Sequence, residues 1–508
     1  MNHTTKKLCS FLLTLAIALP SLPIPGARAS AVVPAEEKAQ EALPDYYDLR
    51  EEGLVTEVKD QGRNETCWAF ALASVMESNA LVRGYGTNDV SEYQIAYALS
   101  HQLDLDDDLA SGEGPWCTDD WLEGIFAESL SSELMRGFAI QSEEDFPYTD
   151  IREPLPEKGF SQDGLLYVDS CYTVPMTETD TIKRMVMQNG ALYMNICAAS
   201  WWELPSIYDW EVNAAYLPEY GERKNDHFVA IVGWDDHYSK DHFLTTPPGD
   251  GAWIMKNSWG PAYGFEGFFY LSYYDASVNP DNCATSITVK NKRTYDRIYQ
   301  YDGGVGLEAL GQVTDVAMNL TAAEDEAVTA IRIKPTGDLD CTHYATRDWT
   351  FSPTAATVRI YEGSFDAAQA ETADPVFVQT YDVLFPDYQT IELRGRVPLR
   401  KGEDYWVKVS FDKPVYYAID GENKKLDHFY ESVAGGKPGE TFLRTRGQPG
   451  RGVWKDTVDV LGNGKTCSAC VKVLTQRASA RLLESLRLTN QVHRFLQKTV
   501  GAFLRAIA

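Results

Sequence analysis

The chain has 508 residues, of which 44% are hydrophobic and 24% charged, so it can form packed cores and is too long for one ordinary domain. Its 46 Lys and Arg against 74 Asp and Glu give a formal net charge of -28, which would repel a phosphate backbone. Composition and charge therefore exclude a wholly disordered or fibrous protein and argue against nucleic acid as a partner.

Residues 1–29 have the pattern of a secretory signal peptide. Lys6 and Lys7 precede an apolar run that ends at Leu19, and small residues close the segment at Ala29. The apolar run is too short to span a bilayer, and we expect no transmembrane segment elsewhere. Loss of the segment removes three positive charges and lowers the net charge to -31. We expect a secreted, extracellular or surface-associated protein whose substrate is not acidic.

Helical and strand patterns are mixed from Pro44 to Lys290, which predicts an α+β domain over 44–290 after a short linker at 30–43. The predicted elements are a helix at 67–82 and strands at 192–197, 228–234, 253–256 and 268–273.

A polar loop, VKDQGRNETCWAF, places Cys67 at the start of the predicted helix. A thiol there faces the positive end of the helix dipole, which favours the nucleophilic thiolate. Gln61, six residues earlier, carries an amide that would donate to an oxyanion beside Cys67. Taken alone, a cysteine is more often a small buried hydrophobic residue, and a glutamine a surface residue.

Two further segments supply partners for a thiol. In NDHFVAIVGW, His227 stands just before an apolar strand, where a side chain can face a cleft and act as a base. In WIMKNSWG, Asn257 follows another strand, and its amide oxygen would accept the imidazole N–H while Trp259 shields that bond. Each alone is more often a strand end or a turn.

Together these segments resemble the papain-like cysteine protease family. The resemblance covers most of 44–274 and includes VSEYQIAYALS, SEEDFPY and WGPAYGFEGFFYLSY. It implies a two-lobed α+β fold with Cys67 as nucleophile, His227 as base and acid, Asn257 as its orienting amide, and Gln61 in the oxyanion hole. Catalysis would proceed through a thioester acyl-enzyme.

The resemblance also implies a glycine-rich edge that pairs with an extended substrate, at Gly112, Glu113 and Gly114. Asp226, beside the histidine, is a further candidate for substrate binding. Either segment is as readily interpreted as ordinary acidic surface.

The chain departs from the family pattern near the thiol. Asn64 replaces the usual cysteine three residues before the nucleophile, so the disulfide normally anchored there cannot form. We expect the loop to be held in another way, with Glu65 near the cleft. The short segment before Pro44 leaves the source of latency open.

From 291 to 476 the pattern changes to short β-branched and aromatic runs between turns, which predicts a β-sandwich. Its order and aromatics resemble the lectin-like domain of some bacterial surface cysteine peptidases. The resemblance implies contact with glycans or the cell wall; a purely structural sandwich is the alternative. We expect no required cofactor, although Asp338–Asp340 offers oxygen ligands of the kind that a structural Ca²⁺ takes.

The last segment, 477–508, predicts a basic helix with six Lys or Arg against one Glu. It would dock on the acidic body, on an anionic surface or on another subunit. Cys467 and Cys470 have redox or metal spacing without a companion pair, which favours a local disulfide or structural thiols.

The predicted architecture is thus an α+β papain-like domain, an all-β lectin-like sandwich and a C-terminal helix, and the predicted activity is hydrolysis of protein or peptide substrates. One alternative is a glycan-binding or adhesion protein with an inactive protease domain. The other is a transglutaminase-like acyl transferase, which normally ends its triad in an acidic residue rather than an amide.

Overall fold

The computed structural model describes residues 42–101, 114–117, 127–149, 163–303, 308–337, 351–421, 423–427, 430–433, 436–446, 452–460 and 467–492. The predicted signal segment, Gly112, Glu113 and the acidic run Asp338–Asp340 lie outside these residues. Within the described ranges, no helix combines the length and the apolar character needed to cross a membrane.

The first half is built on a nine-stranded sheet with short helices around it. The sheet runs β3-β10-β4-β7-β8-β9-β6-β5, with β1 paired to β7, and all its pairs are antiparallel except β6 with β9. Its strands are β1 Tyr46–Asp48, β3 Tyr167–Pro175, β4 Leu192–Ile196, β5 Tyr208–Asp209, β6 Ala214–Ala215, β7 His227–Asp235, β8 Ala252–Lys256, β9 Phe268–Ser272 and β10 Cys283–Lys290. Its helices are α1 Cys67–Val82, α2 Glu92–Ala98, α3 Ala127–Leu134, α4 Thr179–Asn189 and α5 Ser200–Glu203.

Helix α1 is the central helix of this half and has the predicted bounds. Its residues are apolar on nearly every side, and all but one from Cys67 to Ala80 are buried, as expected for a helix enclosed by its neighbours. It packs against β7 and β10 of the sheet. Gly84, with a φ of 72°, turns the chain away just after the helix.

The second half is a β-sandwich. One sheet runs β11-β24-β13-β17, and the other runs β16-β15-β18-β12-β21-β22, with β14 and β23 paired to β18. The strands are β11 Arg297–Tyr299, β12 Glu308–Thr321, β13 Glu326–Ile333, β14 Pro335–Thr336, β15 Thr354–Glu362, β16 Phe377–Val383, β17 Gln389–Leu399, β18 Asp404–Gly421, β21 Thr441–Thr445, β22 Trp454–Asp456, β23 Cys467–Ala469 and β24 Val471–Arg477. Buried and partly buried residues alternate along β16 from Gln379 to Val383, as expected for a sheet with one solvated face.

Buried polar contacts join the two halves. Arg332 of β13 donates to the carbonyl of Met135 at 3.0 Å and to that of Val168 at 2.8 Å. Asp387 accepts from Ser131 at 2.7 Å and from Thr173 at 2.9 Å. Since unpaired polar groups are costly in such a place, the contacts fix the sandwich against α3 and β3.

The described part of the C-terminal helix, α6, covers 480–492 and lies against the sandwich. Leu483 is buried, and Arg487 pairs with Glu403 at 3.2 Å. This helix therefore docks on the acidic body of its own chain. Cys467 and Cys470 are both buried thiols in the sandwich core. The predicted order of an α+β half, an all-β half and a terminal helix is confirmed.

Candidate active site

Cys67 is the first residue of α1, at the base of the loop that precedes the helix. Its sulfur accepts the backbone N–H of Phe228 at 3.4 Å, so it lies against the start of β7. Only 7% of Cys67 is exposed. The thiol therefore stands at the junction of the helical side and the sheet.

His227 is the first residue of β7, and Asn257 follows the last residue of the neighbouring strand β8. Because β7 and β8 pair antiparallel, the start of one strand meets the end of the other, with Ala230 opposite Lys256. The imidazole Nε2 lies 2.7 Å from Asn257 Oδ1, an acceptor, so Nε2 carries the proton. The other ring nitrogen, Nδ1, therefore carries a lone pair that can accept a proton.

A second donor fixes the orientation of the Asn257 amide. The backbone N–H of Ser258 donates to the same Oδ1 at 2.8 Å, which only an oxygen can accept. The indole of Trp259 stacks on the His227 ring with centroids 4.7 Å apart. The imidazole is thus held by its edge and covered on one face.

Gln61 has its side chain locked at both ends. Its Nε2 donates to the carbonyl of Asn64 at 2.8 Å, and its Oε1 accepts the hydroxyl of Ser258 at 2.6 Å. Its backbone N–H also donates to the carbonyl of Ser258 at 2.8 Å. The second hydrogen on Nε2 remains for an oxyanion.

The hydroxyl of Tyr148 holds the loop before Cys67, in which Asn64 stands at the position of the expected cysteine. That hydroxyl donates to the carbonyl of Gln61 at 3.2 Å and accepts from Asn64 Nδ2 at 3.2 Å and from Thr66 Oγ1 at 2.5 Å. The Tyr148 ring also meets Phe70 of α1 edge to face at 4.8 Å. One phenol thus ties the loop before Cys67 to the segment around residue 148.

Burial dominates the electrostatics of the thiol and the imidazole. It raises the pKa of Cys67 to about 12, against the lowering effect of the Phe228 and Trp68 N–H groups, and Asp226 and Glu65 raise it slightly further. Burial lowers the pKa of His227 to about 4, although the bond to Asn257 opposes this. Both shifts disfavour a single charged group in the buried site. Transfer of a proton from the Cys67 sulfur to His227 Nδ1 leaves the net charge of the site unchanged.

An aromatic cluster extends from Trp259 to the surface. Trp201 of α5 is buried and packs on Trp259 at 5.6 Å and on Tyr208 at 4.6 Å. The next residue, Trp202, is 65% exposed. Trp210 is 47% exposed and lies 4.8 Å from Trp202, so two indoles form a surface beside the site.

Of the predicted substrate-binding residues, the structure describes Asp226 and Gly114. The Asp226 carboxylate accepts the N–H groups of Ala198 and Ala199 at 2.7 and 3.1 Å, and so holds the start of α5. Of the glycine-rich edge, the structure describes only Gly114. Strand β2, Gly114–Cys117, pairs antiparallel with β20, Tyr430–Val433, and β20 pairs with β19, Asn423–Asp427. The sandwich half thus contributes two strands beside this edge.

Sequence reasoning missed three groups that support the site. The sequence indicated Ser258 only as part of the Asn-Ser-Trp segment and Tyr148 only as the last residue of SEEDFPY, and it predicted no role for either side chain. The pair Trp202 and Trp210 had no signal beyond its aromatic content. Among the residues that the structure describes, no three His, Cys, Asp or Glu side chains stand together as a metal site.

The first half of the chain is similar to known proteins. Residues 43–290 match the family model described as papain family cysteine protease. Over 229 residues the chain is 28% identical to a probable cysteine protease of Arabidopsis thaliana, covering 45% of this chain and 56% of that protein. Over 238 residues it is 26% identical to a cathepsin L-like proteinase of Fasciola hepatica, covering 46% and 62%. The chain thus spans between half and two thirds of the length of these relatives.

Solved structures match across both halves. The clostridial cysteine protease Cwp84 after propeptide cleavage superposes with a TM-score of 0.68 at 21% identity, covering 85% of this chain and 99% of that one. The cysteine protease and lectin-like domains of Cwp84, a surface layer associated protein of Clostridium difficile, give 0.67 at 21% identity, covering 86% and 90%. This likeness extends the shared fold from the first half to the sandwich.

Proposed function

Because residues 43–290 are a papain-family cysteine protease domain, we propose that this protein is a secreted or surface-associated cysteine endopeptidase. The observation that carries the proposal is the contact of His227 Nε2 with Asn257 Oδ1 at 2.7 Å, made where the Cys67 sulfur meets the start of β7. We assign Cys67 as nucleophile, His227 as base and acid, Asn257 as orienting amide and Gln61 as oxyanion donor.

In acylation, the Cys67 thiol gives its proton to His227 Nδ1 as the sulfur attacks the peptide carbonyl carbon. The oxyanion is stabilised by Gln61 Nε2 and the Cys67 backbone N–H. The carbon–nitrogen bond then breaks, and His227 returns the proton to the leaving amine. A thioester remains on Cys67.

In deacylation, water attacks the thioester carbonyl and gives its proton to His227 Nδ1. The tetrahedral intermediate collapses, the carboxylic acid leaves, and the proton returns to sulfur. Asn257 holds the ring through both steps, and Trp259 keeps water from that bond. No cofactor takes part in this scheme.

The direct test combines turnover with labelling of the thiol. Purified protein should cleave short peptidyl-aminomethylcoumarin substrates, and a peptidyl chloromethyl ketone should label Cys67 but not Cys283, a half-buried thiol in the same domain. Cys67→Ala should abolish both readouts, and His227→Ala should remove labelling at neutral pH. Labelling that ignores His227, or cleavage that survives loss of Cys67, would contradict the assignment.

One observation favours a second candidate, an adhesion or glycan-binding protein with an inactive protease domain. Burial raises the pKa of Cys67 to about 12, and buried apolar surroundings are typical of unreactive thiols. An unreactive Cys67 in folded protein would support this candidate. Transglutaminase-like transfer is disfavoured because the partner of His227 is an amide; an isopeptide product without hydrolysis, formed with added amine, would support it.

For the sandwich we propose contact with glycans through a cavity of about 320 Å³ on its larger sheet. The lining includes Arg359, Tyr361, Lys408 and Ser410. Its volume lies within the range of ligand pockets, and its lining carries charged and hydroxyl groups of the kind that bond to sugar hydroxyls, although Ser410 already donates to Asp315 and Lys408 to Glu371. Titration calorimetry with cell-wall saccharides should show binding that Arg359→Ala weakens; unchanged affinity would exclude this cavity.

A further inference from the structure

Among the described residues, Trp202 and Trp210 form a pair of exposed aromatic side chains near the site, here called the indole shelf. Trp202 is 65% exposed and Trp210 47%, and their ring centroids lie 4.8 Å apart at 37°. Contiguous exposed apolar surface is typical of sites that bind a ligand or a protein, and two neighbouring exposed indoles form such a surface.

The shelf is fixed in place by its neighbours in the chain. Trp201, which precedes Trp202 on α5, is only 4% exposed and anchors the helix against Phe269 at 5.1 Å. Trp210 follows β5 in a turn closed by the carboxylate of Asp209, which accepts the N–H of Glu211 at 2.9 Å. The two indoles are therefore preorganised, which lowers the entropic cost of binding.

Trp259 connects the shelf to His227, the general base of the proposed mechanism. Trp202 lies 6.1 Å from Trp259, and Trp259 lies 4.7 Å from His227, so no more than about 11 Å separates Trp202 from the imidazole. An extended peptide spans roughly 3.3 to 3.6 Å per residue, so this distance corresponds to at most about three residues.

The mechanism determines which part of a substrate lies there. The acyl part stays bonded to sulfur with its oxygen near Gln61, whereas the leaving part takes its proton from His227. Because Trp202 adjoins Trp259 and Trp259 stacks on His227, the shelf adjoins the group that protonates the leaving part.

Charge at the rim narrows the side chains that fit. Glu203 pairs with Arg223 at 2.8 Å, so the negative charge beside the two indoles comes from the exposed Glu211. The Glu211 carboxylate would repel an acidic side chain, while the indole faces attract apolar and cationic ones.

We propose that the indole shelf selects peptides with a large apolar or aromatic side chain two or three residues after the cleaved bond. This inference rests on the proposed endopeptidase activity and adds a substrate preference to it. Stacking of one side chain on an indole adds to the binding gained from buried area, and we expect a preference of about tenfold.

The test uses quenched fluorescent peptides that differ only at the second and third positions after the cleaved bond. For the wild type, kcat/KM with Phe there should exceed kcat/KM with Gly by about tenfold, and Glu should be the poorest. In the double variant Trp202→Ala, Trp210→Ala the Phe-to-Gly ratio should fall to near one. Because the ratio is taken within one enzyme, a general loss of activity cancels.

Two controls keep the outcomes apart. Val453→Ala changes a residue that is also 65% exposed but lies on the sandwich, and it should keep the wild-type ratio. Trp202→Phe retains an aromatic ring on the shelf and should keep most of that ratio. A wild-type ratio near one, or a double variant that keeps a tenfold ratio, would overturn the inference alone. Failure of the wild type to cleave a coumarin substrate, which has no residue after the bond, would overturn the proposed activity as well.

Discussion

The hydroxyl of Tyr148 gives the sharpest test of how the loop before Cys67 is held. Replacing Tyr148 with Phe keeps the ring that packs on Phe70 and removes only the oxygen that bonds to Gln61, Asn64 and Thr66. The substitution therefore separates the hydrogen bonds from the packing.

The size of the effect follows from burial. Thr66 has no exposed surface, so its hydroxyl would lose its partner away from water, which costs about 1 to 3 kcal/mol. If half of that cost falls on the loop geometry in the transition state, kcat/KM drops about two- to tenfold. The loss should appear mainly in kcat, because the loop holds the oxyanion donor Gln61 rather than the substrate.

The assay compares Tyr148→Phe with Tyr273→Phe, using turnover of a short peptide substrate and urea unfolding. Tyr273 donates its hydroxyl to Asp236 at 2.7 Å, away from the site, so its loss should lower the unfolding free energy by a similar amount and leave kcat/KM unchanged. Wild-type kcat/KM in Tyr148→Phe, together with reduced stability, would refute a catalytic role for this hydroxyl and leave a purely structural one.

Three further predictions concern pH, the oxyanion donor and the junction of the halves. Because burial lowers the pKa of His227 to about 4, activity should persist well below pH 6.5 and fall only as pH approaches 4. The stability that the neutral imidazole contributes above pH 6.5 should be lost as the pH falls from 6.5 to 4. A kcat/KM profile with its acid limb at pH 6.5 or above would contradict this. Ser258→Ala should remove the hydrogen bond that holds Gln61 Oε1, and lower kcat about tenfold with little change in KM. If the double variant Gln61→Ala, Ser258→Ala loses no more kcat than Gln61→Ala alone, the two residues act through one role; if the two losses add, they do not. Arg332→Met should lower the unfolding free energy by about 2 to 4 kcal/mol in urea titration because two buried carbonyls lose their donor, and a change within error would show that the halves are held by other contacts.

The sequence predicted the elements that carry the site because their signals are local. An apolar run after a polar loop marks the start of α1 at Cys67, and apolar strand patterns place His227 at the start of β7 and Asn257 after β8. Periodicity and the ends of runs are properties of neighbouring residues, so no long-range contact is needed to recognise them. The resemblance to a family then assigned candidate roles to those positions.

Contacts between distant residues were decided only by the tertiary structure. The pairing of β7 with β8 brings the imidazole to the amide, and the Ser258 hydroxyl reaches Gln61 across 197 positions of the chain. Nothing near Tyr148 in the sequence indicates that its hydroxyl bonds to Asn64, 84 residues earlier in the chain.

The indole shelf and the junction of the halves show the same division. Composition revealed many aromatic residues, yet only packing determines that Trp201 is buried while Trp202 is exposed. Likewise, Arg332 sits in an ordinary strand pattern, and its role depends on two carbonyls that come from the other half. A local pattern specifies which face of an element is apolar, whereas the partner of a buried polar group is specified only when distant segments meet.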